Sequence, residues 1–183
     1  MKTIYYYQTF VGLHDLMSHV QDIDVIIVSS IHFGKDKSGK KNIFLNDNIP
    51  YDPIFNDLWI ETEKLSVQGC NIMLMMGGAG FAYKELFSDF DTYYPLLKKL
   101  IMEKSWIKGI DLDVEEHTSI DNIKMLINRL VKDFSGDNDF ITVKLPEALD
   151  ESDKRCKDNK KWMGEYKLGL QFKGDRYEMG GND

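Results

Sequence analysis

Lys108-Gly109-Ile110-Asp111-Leu112-Asp113-Val114-Glu115-Glu116 is the stretch that decides the fold, because apolar and acidic residues alternate along it with a period of two. On a β-strand, Asp111, Asp113 and Glu115 would share one face, and the apolar residues between them the other. A strand in a sheet that is covered on both faces must then turn its acidic face towards an enclosed polar space. Close carboxylates in such a space cannot all ionise cheaply, so at least one is expected to hold a proton near neutral pH. A carboxylic acid that keeps its proton near neutral pH can act as a general acid.

The composition indicates one globular domain, or part of a larger one. The chain has 183 residues, of which 43% are hydrophobic and 12% aromatic, enough for a sizeable core. The formal net charge of −7 argues against a nucleic-acid surface. The two cysteines, Cys70 and Cys156, form no motif, so no disulfide framework, metal site or cofactor is predicted. Residues 1–173 are assigned to this domain, and 174–183 to a polar, glycine-rich tail.

The beginning of the chain has no targeting signal. The first residues pass directly into a strand-like run, without the apolar core or the cleavage site of a signal peptide. No apolar run approaches the roughly 18 residues that a membrane span needs. A cytoplasmic protein that does not enter a membrane is therefore the default expectation.

Alternating strands and helices are predicted along the whole chain. Strands are expected at 3–10, 23–31, 70–76, 107–115, 139–146 and 166–173. Helical segments are expected at about 12–20, 52–68, 91–104, 119–134 and 150–163. Asp52 and Pro53 are a good N-cap and first residue for the second of these helices. Residues 33–52 are otherwise predicted to be loop, with a small hairpin near 43–45.

These repeated βα units predict a parallel sheet, either open or closed into a barrel. The fold class is α/β, of the (β/α)8 TIM-barrel type. A closed barrel of this kind typically needs about 250 residues, so about six units here leave it incomplete. Active sites of such barrels lie at the carboxyl ends of the strands, and Glu115 lies at such an end.

Four segments resemble glycoside hydrolase family 18, the chitinases and endo-β-N-acetylglucosaminidases on a (β/α)8 barrel. The stretch from Gly109 to Glu115 resembles the family signature Asp-Gly-x-Asp-x-Asp-x-Glu. Three shorter segments resemble the ends of its third and fifth strands and the start of its sixth: Met76-Gly77-Gly78, Leu145-Pro146-Glu147 and Leu170-Gln171-Phe172. The chain is therefore similar to a C-terminally shortened member of this family.

The resemblance implies hydrolysis of β-1,4 bonds next to N-acetylglucosamine, in chitin, chitooligosaccharides or an N-glycan core, by a substrate-assisted retaining mechanism. Glu115 would protonate the glycosidic oxygen, while the N-acetyl group of the sugar attacks the anomeric carbon. Asp113 would hold the acetamide N–H, and Asp111 would share a proton with Asp113. The substrate-binding residues predicted with them are Tyr6, Gly77, Gly78, Gln171 and Lys173.

Two positions depart from the family pattern. Lys108 stands where the signature has its first Asp. Lys173 stands where the sixth strand has a Tyr that helps to hold the acetamide carbonyl. These departures leave a second function open, a catalytically impaired chitinase-like protein that binds carbohydrate or has a structural role. For the carboxylates taken alone, the alternative is a structural cluster or one that binds Mg²⁺ or Ca²⁺.

The predicted partner is a polysaccharide or glycan that contains N-acetylglucosamine, with neither nucleic acid nor membrane as a partner. The edges of an open barrel need covering, which leaves open self-association or a partner that covers them. His32 is interpreted as a hydrogen-bonded loop residue, with contact to substrate as the alternative. Glu116 should point away from Glu115 and cap a loop.

Overall fold

The structure is a computed structural model that describes residues 3–8 and 12–134, together with the backbone of three later strands at 140–144, 169–172 and 175–178. The helix predicted at 150–163 and the predicted binding residue Lys173 lie outside the described residues.

A parallel sheet forms the centre of the fold. The strands are β1 (Ile4–Tyr7), β2 (Val25–Lys35), β3 (Lys41–Leu45), β4 (Asn71–Gly77), β5 (Ile107–Asp113), β6 (Phe140–Lys144), β7 (Gly169–Phe172) and β8 (Asp175–Glu178). Five of them lie in the order β1-β2-β4-β5-β6 and are parallel throughout. β3 pairs with β2 in the antiparallel direction, and β7 and β8 form a separate antiparallel pair. The predicted α/β class with a parallel sheet is confirmed.

Four α-helices connect the strands of the described region: α1 (Asn56–Val67), α2 (Ala82–Ser88), α3 (Phe90–Glu103) and α4 (Ile120–Phe134). Two 3-10 segments precede α1, at His14–Asp22 and Pro53–Phe55. The first of them is the helical segment predicted at about 12–20, and it is a 3-10 helix. The short helix α2 was not predicted at all, because its first turn is capped by a residue distant in sequence.

Side-chain caps set where the 3-10 segment Pro53–Phe55 and the helix α3 begin. Asp52 accepts a hydrogen bond from the Ile54 amide at 3.0 Å, so it caps the chain as predicted, but the turn that follows is 3-10. Asp89 accepts from the Thr92 amide at 3.3 Å and starts α3 at Phe90. Pro95 therefore lies in the second turn of α3. Proline has no backbone N–H to donate, so it is best tolerated one turn earlier, in the first turn of a helix.

The sheet separates two apolar clusters of unequal size. The larger one packs the sheet against the helices and includes Ile110 and Leu112 of β5. The smaller one lies on the opposite face and is formed by four buried residues: Val25, Ile27, Met73 and Met75. Because successive side chains of a strand alternate, the acidic residues of β5 share this second face.

The carboxyl end of β2 is longer than predicted and is joined to β4 by side chains. β2 runs through residue 35 and turns back into β3, whereas 33–52 was predicted to be mostly loop. Ser30 Oγ donates to the Gly77 carbonyl oxygen at 2.6 Å, and His32 Nε2 lies 2.9 Å from Ser30 Oγ. Since the Ser30 hydrogen goes to Gly77, His32 Nε2 must be the donor to Ser30. Burial lowers the pKa of His32, consistent with this neutral donor form.

We expect the protein to lose more stability than its His32→Gln variant as the pH falls from about 7 to about 5. The pKa of His32 is lower in the folded chain than the value of about 6.5 expected when it is unfolded. Protonation is therefore less favourable in the folded state, so stability declines as the pH drops below that unfolded value.

Thermal unfolding midpoints across this pH range measure the effect. The control is His14→Gln, which changes an exposed histidine in the 3-10 segment and should retain the pH dependence of the unchanged protein. Identical pH profiles for the unchanged protein and His32→Gln would contradict the predicted role of this half-buried imidazole.

Candidate active site

Two carboxylates are buried side by side at the end of β5. Asp111 is 2% exposed and Asp113 is 5% exposed. The strand register places Asp111 beside Met75 and Asp113 beside Gly77 of β4. Burying a carboxylate costs several kcal/mol unless polar groups surround it. The enclosed acidic face expected from the sequence is therefore present at these two residues.

Tyr6 supplies one of those polar groups from across the sheet. Its hydroxyl donates to Asp111 Oδ2 at 3.1 Å, and its side chain is still 40% exposed. β2 and β4 lie between β1 and β5, so a flat sheet would separate their backbones by about 14 Å. The contact thus requires a sheet curved towards this face. Burial, and then the charges of Asp111 and Asp113, raise the pKa of Tyr6, so its hydroxyl stays a donor.

Glu115 differs from the other two carboxylates in its surroundings. The predicted strand 107–115 ends earlier, at Asp113, and Glu115 is exposed two residues beyond it. The expectation that all three residues share one enclosed strand face is wrong for Glu115. The physical reason lies in β4. Its pairing with β5 ends at Gly77, so the chain after Asp113 has no β4 residue with which to pair. Glu115 instead lies at the open carboxyl edge of the sheet.

Gly77 and Gly78 allow β4 to approach Asp113 closely. Gly77 has φ of +109°, and a Cβ atom there would lie 2.0 Å from the Asp113 carbonyl oxygen. No other residue fits that position. Gly78 donates its amide hydrogen to the same oxygen at 3.0 Å. The glycine pair therefore has a packing role beside the carboxylates, and its predicted contact with substrate stays a prediction.

Glu116 points to a helix rather than to the carboxylate site. Its Oε1 accepts from the Tyr83 amide at 2.6 Å and its Oε2 from the Lys84 amide at 3.2 Å. Burial raises the pKa of Glu116, and these two hydrogen bonds partly oppose that rise. The predicted capping role is thus observed, with the first turn of α2 as the capped segment.

Tyr83 is a residue of the site that the sequence analysis missed. It is fully buried, and its hydroxyl donates to the Met76 carbonyl at 2.8 Å. Burial, followed by the charges of Asp111 and Asp113, raises its pKa. The sequence carries no local signal for this position, because α2 itself was not predicted.

The remaining predicted residues belong to the later strands. Gln171 lies in β7, of which the backbone is described, and its contact with substrate stays a prediction. Lys144 is the register partner of Asp113 on β6. Among residues 3–8 and 12–134, no group of three or more His, Cys, Asp or Glu side chains could hold a metal ion. In the same part of the chain, no helix is both long and apolar enough to cross a membrane.

The chain matches no protein-family model and none of the curated proteins, but it does match solved structures. Chitinase ChiC from Aspergillus fumigatus is 33% identical over 78% of this chain and 53% of its own, with a TM-score of 0.69. A fungal endo-β-N-acetylglucosaminidase from glycosyl hydrolase family 18 is 31% identical over 78% and 54%, with a TM-score of 0.66. A GH18 chitinase from Pseudoalteromonas aurantia, at 16% identity over 78% and 55%, shares the fold with a TM-score of 0.59.

The chain spans about half the length of each of these three enzymes. Two of them exceed 30% identity, one described as a chitinase and the other as an endo-β-N-acetylglucosaminidase from glycosyl hydrolase family 18. The resemblance predicted from the acidic strand is therefore confirmed: over about half the length of these enzymes, the chain has the fold and the sequence likeness of glycoside hydrolase family 18.

Proposed function

We propose that this chain is a glycoside hydrolase that cleaves β-1,4 bonds next to N-acetylglucosamine in chitin or chitooligosaccharides. The observation that carries the proposal is the arrangement on β5, where two buried carboxylates precede an exposed one at the carboxyl edge of the sheet. Support comes from the similarity to a chitinase and an endo-β-N-acetylglucosaminidase.

Glu115 is the proposed general acid and base, because its exposed position lets it reach a bound sugar chain. It gives its proton to the glycosidic oxygen as the bond from that oxygen to the anomeric carbon breaks. The acetamide oxygen of the sugar forms the new bond to that carbon, which gives an oxazolinium intermediate. Glu115, now ionised, takes a proton from the water that opens this ring, and the configuration is retained.

Asp113 and Asp111 are proposed to support the acetamide group. Asp113 holds the acetamide N–H and stabilises the positive charge of the intermediate, which is most effective in a site that excludes water. Asp111 orients Asp113 from behind. Tyr6 fixes Asp111 through the hydrogen bond of 3.1 Å to Oδ2, so it acts on the reaction through the carboxylates.

A non-catalytic carbohydrate-binding protein is the second candidate. Lys173 favours it, since this residue replaces the Tyr expected to hold the acetamide carbonyl. A protein of this kind would retain sugar on the surface of the site without cleaving it. The two candidates differ in whether the protein cleaves the sugar that it binds. Only the hydrolase requires Glu115 for turnover.

Replacing Glu115 by Gln should slow the release of the fluorophore from a fluorogenic N-acetyl-chitooligosaccharide by at least about a hundredfold, since proton transfer alone contributes that much. The fold should survive, because Glu115 is exposed. Glu63→Gln removes an equal charge from an exposed position of α1 and should leave the rate unchanged. Equal release by the unchanged protein and by Glu115→Gln would contradict the enzyme proposal.

Tyr6→Phe should lower the rate of the same reaction by about ten- to a hundredfold, because a hydrogen bond to a charged group contributes about 1.5–3 kcal/mol. Tyr5→Phe is the matched control, since Tyr5 is its exposed neighbour on β1. Steady-state rates and circular dichroism separate catalysis from folding. A rate loss of equal size in both variants would count against a specific role for the Tyr6 hydroxyl.

Retention on chitin beads tests the second candidate. If the protein only binds carbohydrate, Glu115→Gln should be retained as strongly as the unchanged protein, and neither should release soluble sugar. Soluble sugar from the unchanged protein alone would reject this candidate and support the hydrolase.

A further inference from the structure

The side chain of Met75 borders both buried carboxylates. The register of β4 and β5 places Met75 beside Asp111, on the face that carries the smaller apolar cluster. Met75 is 5% exposed. An ideal Cβ atom at Gly78 would lie 3.3 Å from the Met75 Cε atom and 3.7 Å from Asp113 Oδ2. The methyl group of Met75 and the carboxylate of Asp113 therefore border the same small space beside Gly78.

A hydrogen bond from β2 holds Met75 in place. Methionine has three rotatable bonds and adapts its shape readily within a core, so a fixed position needs a contact that selects it. Ser29 is 2% exposed, and its Oγ donates to Met75 Sδ at 3.4 Å. A thioether is only a weak acceptor. The contact nevertheless directs the sulfur towards β2, while the methyl group lies next to Gly78.

β4 therefore presents an apolar surface to the two carboxylates. Beside Asp111 lies Met75, and the next residue of β4 on this face is Gly77. Neither of these two side chains can donate a hydrogen bond. Tyr6, by contrast, supplies a hydroxyl donor from β1. Water between β4 and Asp113 would solvate the charge of that carboxylate, and the methyl group of Met75 narrows the space in which such water could lie.

We propose that Met75 is a positioning residue of the proposed hydrolase, which keeps water away from Asp113 so that the charge of Asp113 acts on the bound acetamide group. This role rests on the proposed function, in which Asp113 stabilises the oxazolinium intermediate. A fixed charge stabilises a transition state most where water is excluded, because water screens it. Met75 thus acts on the reaction through Asp113.

Met75→Ala tests this role, because it removes the methyl group and admits water beside Gly78. With the fluorogenic N-acetyl-chitooligosaccharide as substrate, kcat should fall by at least about tenfold, less than the hundredfold or more that follows the loss of a whole hydrogen-bond donor to the transition state. KM should change little, since the charge of Asp113 matters most in the transition state. Met75→Leu should restore most of the rate, because leucine has a similar volume and keeps the space apolar.

Met73→Ala is the matched control. Met73 is fully buried and belongs to the same apolar cluster, but its register partner on β5 is Gly109 rather than a carboxylate. The two alanine variants remove the same atoms from one cluster, so both should lose stability. Only Met75→Ala should lose kcat. An equal loss of kcat in both variants would overturn the proposal, because it would show a general effect of loosening the cluster.

Ser29→Ala releases the sulfur of Met75 without opening a large cavity. The value of kcat should fall, by a smaller factor than in Met75→Ala. In the Met75→Leu background the same change should have no effect on kcat, because the sulfur that accepts the hydrogen bond is already gone. Equal effects of Ser29→Ala in the two backgrounds would contradict the role of this hydrogen bond in holding Met75.

Hydrogen exchange of the Gly78 amide measures access of water without any substrate, since this amide donates to the Asp113 carbonyl oxygen at 3.0 Å. Its exchange should be faster in Met75→Ala than in the unchanged protein or in Met73→Ala. Equal rates in all three would overturn the exclusion of water by Met75 and leave the proposed hydrolase intact. Absence of hydrolysis by the unchanged protein would overturn the proposed function, while faster exchange in Met75→Ala would still support the shielding of Asp113.

Discussion

The burial of Asp111 and Asp113 on one face of β5 is the constraint on which the rest of the described structure depends. Two carboxylates two residues apart can be enclosed only if neighbouring strands bring polar groups to them. The curved sheet does so by carrying the Tyr6 hydroxyl from β1 to Asp111. The backbone of β4 also comes close to β5 at this point, where a side chain at Gly77 would collide with the Asp113 carbonyl, to which the Gly78 amide donates.

The features that the sequence predicted are those with a local cause. Alternation along β5 identified the acidic face, and Asp52 before Pro53 identified a helix start, because both patterns act within a few residues. The end of β5 could not be predicted in this way. Val114 and Glu115 continue the alternation, but β4 offers no pairing partner after Gly77. The extent of a strand is decided by its neighbour, which the strand's own sequence does not contain.

Helix α2 and the β2–β3 hairpin illustrate the same limit. The first turn of α2 is capped by Glu116, 33 residues away from Tyr83, so no pattern inside 82–88 reports it. In the hairpin, Gly34 pairs with Asn42 and Lys35 with Lys41, a composition that is typical of a loop. Pairing with the buried part of β2 overrides that preference. Both elements shape the carboxyl edge of the sheet, so the surroundings of the site were less predictable than its acidic centre.

The contrast between Glu115 and Glu116 shows how position rather than residue type assigns a role. Glu116 has both oxygens engaged by backbone amides of α2 and cannot approach a ligand without uncapping that helix. This cap anchors the chain directly after Glu115, so Glu115 follows a rigid strand and precedes a fixed residue. Because the backbone of Glu115 is already fixed on both sides, only the rotamers of its side chain remain to be ordered when it meets a substrate. A general acid needs that combination of access and restraint, and this is why Glu115, the least buried of the three carboxylates, is the one that we assign to proton transfer.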